Sequence, residues 1–75
     1  MEKVKLYQLK KGDHFKYANW QTGEPEENVY IKGRPHTDTY DNKKMYVTFI
    51  YAPGKPYDNN FTGYVDCDRE VYKVD

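Results

Sequence analysis

Lys44-Met45-Tyr46-Val47-Thr48-Phe49-Ile50-Tyr51-Ala52 is the stretch whose reading decides how this chain folds. It is rich in β-branched and aromatic residues, which fit a pleated surface better than a helix. Successive side chains of a strand point to opposite faces. Met45, Val47, Phe49 and Tyr51 therefore share one side, and Tyr46, Thr48 and Ile50 share the other. Both sides carry apolar groups, so the segment reads as an interior strand covered on each face.

Working outward, similar short runs lie on both sides of it. Val4 and Leu6 alternate with Lys3 and Lys5, and Phe15 and Tyr17 alternate with His14 and Lys16. Between them Gly12-Asp13 supplies a turn, since glycine takes positive φ at little cost. Val29 to Lys32 is a further strand, stopped by Gly33-Arg34-Pro35, and Phe61–Cys67 and Glu70–Val74 close the series. The connections are loops by composition: Asn19 to Asn28, His36 to Lys43 around Asp41-Asn42, and Pro53-Gly54-Lys55-Pro56 with Asp58-Asn59-Asn60. Helix is expected for no more than one turn near Tyr7-Gln8-Leu9. Short strands at spacings of about ten residues predict a single all-β domain over residues 1–75, a sandwich or a small barrel.

The composition narrows the function. Seventy-five residues hold one domain and a thin core. Twelve Lys and Arg balance twelve Asp and Glu, which argues against a strongly basic nucleic-acid binder and against an acidic mimic of DNA. Cys67 is the only cysteine, so no internal disulfide forms and no cysteine-based zinc site is available. There is neither a signal peptide nor an apolar run of membrane-spanning length, and a cytoplasmic location is expected.

Leu6…Leu9-Lys10-Lys11-Gly12-Asp13-His14-Phe15 leads towards Val29-Tyr30-Ile31-Lys32, and the chain ends on an Asp-rich turn (Asp66 to Asp68) followed by Glu70-Val71-Tyr72-Lys73-Val74. These two ends resemble the opening and closing strands of small phage and bacterial SH3-like β-barrel proteins. The resemblance implies an SH3-like barrel of about five antiparallel strands and says little about activity.

His14, His36 and Cys67 are the candidates for a nucleophile and its base, but nothing in their spacing brings them together. Asp66 and Asp68 share one side of an extended chain without the further ligands a hard cation needs. No catalytic, metal or cofactor site is expected, and the chain reads as non-enzymatic.

The tyrosines, nine in all, offer more. If Val29, Ile31, Val47, Phe49, Phe61 and Val65 turn inward, then Tyr30, Tyr46 and Tyr64 form an outward stripe flanked by Lys32 and Lys44, with Trp20 in a polar loop nearby. Trp and Tyr are favoured anchors of protein interfaces. The same arrangement suits single-stranded nucleic acid, whose bases stack on rings while cations follow the phosphates. Cross-strand packing of the tyrosines would need no ligand at all. The expectation is a small binding module acting on another protein, with nucleic acid as the alternative, as a monomer or weak homodimer.

Overall fold

A computed structural model of the chain describes residues 1–54 and 60–74. Most of the connection expected between Pro53 and Asn60, including Asp58-Asn59, lies outside the described residues. The elements are β1 (Lys3–Lys5), a single 3-10 turn (Leu6–Gln8), β2 (His14–Tyr17), β3 (Tyr30–Thr37), β4 (Lys44–Ile50), β5 (Phe61–Asp66) and β6 (Glu70–Val74). All pair antiparallel in one sheet of order β1-β6-β2-β3-β4-β5. β4 is an interior strand, as its two apolar faces require. No helix among the described residues is long and apolar enough to cross a membrane.

The sheet has six strands rather than five, and it is open. The reason lies in the N-terminal segment. β1 pairs with β6 (Lys3 with Tyr72, Val4 with Val71, Lys5 with Glu70), while β2 pairs with the other side of β6. Both edges of β6 are thus taken, and among the described residues β5 pairs with no strand but β4.

The open sheet is nonetheless curled. β5 and β6 lie four strand spacings apart in the order, about 19 Å across a flat sheet. Only Cys67, Asp68 and Arg69 join Asp66 to Glu70, and four Cα steps reach at most about 14 Å. The far side of the sheet must bend round. Two backbone bonds hold the bend: Leu6 N–H donates to Arg69 O and Tyr7 N–H to Cys67 O, both at 2.9 Å.

Inside the curl, Leu6, Leu9, Phe15 and Val71 form the buried core. Val4, Tyr17, Tyr30, Tyr46 and Val65 pack against it. Phe15 lies 5.3 Å from the Tyr17 ring, edge-on, and 5.9 Å from Tyr30, stacked. The Gly12 turn takes φ 93° as expected and is tied to β3 through Gly12 N–H donating to Lys32 O at 2.8 Å.

The third strand does not stop at Gly33-Arg34-Pro35. β3 runs through them, because a bulge absorbs one extra residue: between the pairs Lys32–Thr48 and Pro35–Tyr46, Gly33 and Arg34 stand against Val47 alone. Proline is tolerated beside a bulge, where ladder bonds are interrupted. The Asp38–Lys43 turn follows, with Asn42 left-handed at φ 58° and the Asp38 and Asp41 carboxylates accepting from Tyr40 and Lys43 N–H.

Gly33 is required for a different reason than turning. A Cβ there would sit 2.8 Å from both the Phe49 ring and Val47 O, too close for any side chain. Gly33→Ala is expected to cost about 1–3 kcal/mol through overpacking, read as a lower urea midpoint with an unchanged m-value.

Candidate functional site

The pairing of β2 with β3 decides which side chains meet solvent. Phe15 stands opposite Tyr30, and His14 opposite Ile31. Phe15 is fully buried in the core, so Tyr30 must face the core too. Lys32, Tyr46 and Thr48 follow by alternation and register. The outward stripe expected of Tyr30, Tyr46 and Tyr64 is therefore not assembled. Tyr30 and Tyr46 pack on the inside, and Lys32 is 4% exposed. Of the three tyrosines only Tyr64 lies on the outer face, opposite Val47.

Lys32 is held by several groups at once. Its Nζ donates to Leu9 O and lies 3.8 Å from the centre of the Tyr46 ring, a cation–π contact. Burial lowers its pKa from the ordinary 10.5, with the Asp13 carboxylate pulling the other way. Nearby, Thr48 is buried and exchanges hydroxyl contacts with Thr62 at 3.0 Å across the β4–β5 bulge. Burial raises the Tyr17 pKa above 10.0; Tyr30 and Glu26 add to this, while the Thr48 hydroxyl and the Arg69 guanidinium oppose it. That guanidinium lies 5.1 Å from the Tyr17 ring centre.

The outer face carries a second apolar layer. Ile31, Val47 and Phe49 are buried there as a cluster separate from the core. Over and around it lie Phe61, Tyr64 and Tyr51, exposed by 52, 48 and 44%. Their rings form a chain of contacts. Phe61 meets Phe49 at 6.3 Å and Tyr64 at 5.5 Å, both edge-on. His36 stacks on Tyr64 at 4.1 Å, and His14 lies 4.9 Å from Tyr51. A sheet face turned to water is ordinarily polar; this one presents half-exposed aromatic rings on a buried apolar floor.

Tyr51, Phe61, His14 and His36 thus belong to the candidate surface, although the sequence offered them no such role. The alternation already grouped Tyr51 with Val47 and Phe49. What was missing was the sign of that face, which the β2 register supplies, and, for Phe61, the bulge at Thr62. Alternation alone puts Phe61 inward with Val65, but the extra residue sets it opposite Phe49 on the outer face.

The other expected residues sit elsewhere. Trp20 is 86% exposed in the Asn19–Asn28 loop and borders a cavity of about 460 Å³ with Lys3, Lys5, Asp68, Arg69 and Glu70, a neighbourhood of mixed charge. That loop is anchored through the Tyr72 hydroxyl, which donates to Gly23 O. Lys44 is exposed at the start of β4 and lines a cavity of about 420 Å³ with Tyr7, Tyr46, His36 and Cys67. His14 is not part of that cavity's wall. No group of three or more His, Cys, Asp or Glu able to hold a metal ion occurs among the described residues.

Compared with known proteins, the chain matches no family model, no curated protein and no solved structure.

The Lys32 environment makes a pH-dependent prediction. Between its lowered folded-state pKa and the unfolded value near 10.5, the unfolded chain binds more protons than the folded one. Stability from this group therefore rises as pH increases through that window. The raised Tyr17 pKa acts oppositely, its contribution being lost as pH climbs above about 10.0. Urea titrations of wild type and Lys32→Met across the alkaline range should show the wild type gaining stability relative to the variant as pH rises. A constant difference would mean that Lys32 is not desolvated.

Proposed function

We propose that this chain is a non-enzymatic binding module that contacts another protein through the outer face of β3, β4 and β5. One observation carries the reading: Phe61, Tyr64 and Tyr51 are each about half exposed above the buried Ile31–Val47–Phe49 layer, on the side of the sheet away from the core. Aromatic side chains carry large apolar area at small conformational cost, which suits them to interfaces. Contiguous exposed patches of this kind mark interaction sites.

The surroundings favour a protein over a nucleic acid. Among the described residues, the named ring contacts on this face involve His14 and His36 and no lysine or arginine. Of the two lysines expected to flank a stacking platform, Lys32 is buried under Tyr46, and Lys44, though exposed, falls by alternation on the side of Tyr46 rather than that of Tyr64. A backbone-tracking groove needs both rings and free cations along one path.

We also read the architecture as an SH3-like barrel with one strand added. Strands β6-β2-β3-β4-β5 form a five-stranded run with a long loop after its second member and a three-residue link from β5 to β6, and β1 is appended to the outside of β6. On this reading the protein is a phage or bacterial accessory factor working in the cytoplasm.

A photoreactive phenylalanine analogue in place of Tyr64 tests the reading in cells, with the same substitution at Tyr7 as control. The expected product is a protease-sensitive, nuclease-resistant adduct from position 64 and none from position 7. A nuclease-sensitive adduct would transfer the site to nucleic acid. No adduct at position 64 would contradict the reading.

A further inference from the structure

We infer that the partner seated on this face is a second copy of the chain, joined to the first by antiparallel pairing of β5 with its counterpart. The inference rests on the protein-contact reading above and names its partner.

The sheet has two edges, and they are built differently. β1 has three residues, two of them Lys3 and Lys5. Shortness and lysine are the devices that keep an edge strand from pairing. β5 has six residues, Phe61-Thr62-Gly63-Tyr64-Val65-Asp66, with no lysine and no proline. Its single charge, Asp66, is neutralised within the molecule by Lys43 at 2.9 Å. Only the bulge between Gly63 and Phe61 interrupts it.

The direction of the backbone groups follows from one bond. Cys67 N–H donates to Lys44 O at 3.3 Å, so Cys67, Val65 and Gly63 turn their hydrogen-bonding groups towards β4. Tyr64 turns its N–H and C=O to the open side, where no strand among the described residues pairs with β5. Asp66 turns its N–H there too, while its carbonyl accepts from Arg69 N–H at 3.1 Å within the link to β6. Tyr17, Arg69 and Glu26 of the Asn19–Asn28 loop face this edge without pairing with it, lining a cavity of about 290 Å³ together with Tyr64, Val65 and Asp66.

The rings and the edge then work together. Three half-exposed aromatic residues offer about 300 Å² between them. A standard interface buries about 800 Å² per partner, so rings alone fall short. Strand pairing adds backbone area and makes the two outer faces continuous. An antiparallel two-fold axis through Tyr64 sets ring against ring and places Asp66 opposite Thr62, so no like charges face each other. The formal net charge of zero removes any long-range repulsion between copies.

Sedimentation equilibrium on the purified chain between ~5 µM and ~1 mM, the range a small interface spans, tests this directly. The expected mass rises from 9.0 kDa towards twice that value. Tyr64→Lys should hold the mass at 9.0 kDa throughout, while Lys11→Ser, exposed in the Gly12 turn and outside the β5 edge, leaves the association unchanged. Should Tyr64→Lys fail to fold, hydrogen exchange on the wild type decides: the Tyr64 and Asp66 amides must slow as concentration rises.

A wild-type mass of 9.0 kDa at every concentration overturns the inference, as does a dimer that persists in a folded Tyr64→Lys. A monomer whose position-64 probe still captures a different protein overturns the second copy alone and leaves the protein-contact reading in place. A monomer with no adduct ends both.

Discussion

Phe15 standing opposite Tyr30 sets the sidedness of the whole sheet. A strand that is apolar on both faces has no preferred inside, and β4 is such a strand. The choice comes from β2, whose Phe15 is buried among Leu6, Leu9 and Val71. Once Tyr30 is drawn in beside Phe15, period-two alternation and the β3–β4 register carry Lys32, Tyr46 and Thr48 inward, and send Ile31, Val47 and Phe49 out. A slip of one residue would exchange the two sets. It would also pull Lys32 away from Leu9 O and the Tyr46 ring, the contacts that make its burial tolerable.

The N-terminal strand has the second governing role. By occupying the outer edge of β6, β1 makes β6 an interior strand, and among the described residues the open sheet ends on β1 at one side and β5 at the other. The short Cys67–Arg69 link still forces the curl, so Tyr46 and Val65 reach the core from the far end of the sheet. A 75-residue chain buries only about 60% of the surface its unfolded form exposes. Placing two apolar layers on opposite sides of β3 and β4 uses that limited material in an unusual way: one layer closes the core, and the other, Ile31–Val47–Phe49, is roofed mainly by rings that remain half in water.

Much of the fold was legible in the residues. The alternation in Lys3–Leu6, His14–Tyr17, Lys44–Ile50 and Glu70–Val74 marks strands, and Gly12-Asp13 and Asp41-Asn42 mark turns that the structure contains. Two features were not legible locally. Gly33-Arg34-Pro35 has the composition of a chain break, yet β3 continues through it, because β4 accommodates the extra residue in a bulge. The openness of the sheet was equally hidden, since it depends on β1 and β6, at opposite ends of the sequence, pairing with each other. The candidate site suffered from the same gap. Tyr30, Lys32 and Tyr46 have the right chemistry for a binding face, and Tyr51 and Phe61 look like ordinary core residues; the pairing partner across β2 reverses those roles, together with the β5 bulge that turns Phe61 away from the side of Val65.

Aromatic nuclear Overhauser contacts in the free protein test this account most directly, because its central claim is which rings share a face. The account predicts contacts of Tyr30 with Phe15 and Tyr17, of Tyr46 with Val65 and the core, and, as a separate set, of Phe61 with Phe49 and Tyr64 and of Tyr64 with His36. Contacts joining Tyr30 and Tyr46 to Tyr64, with Val47 and Phe49 meeting Phe15, would contradict it and return the tyrosine stripe to the surface.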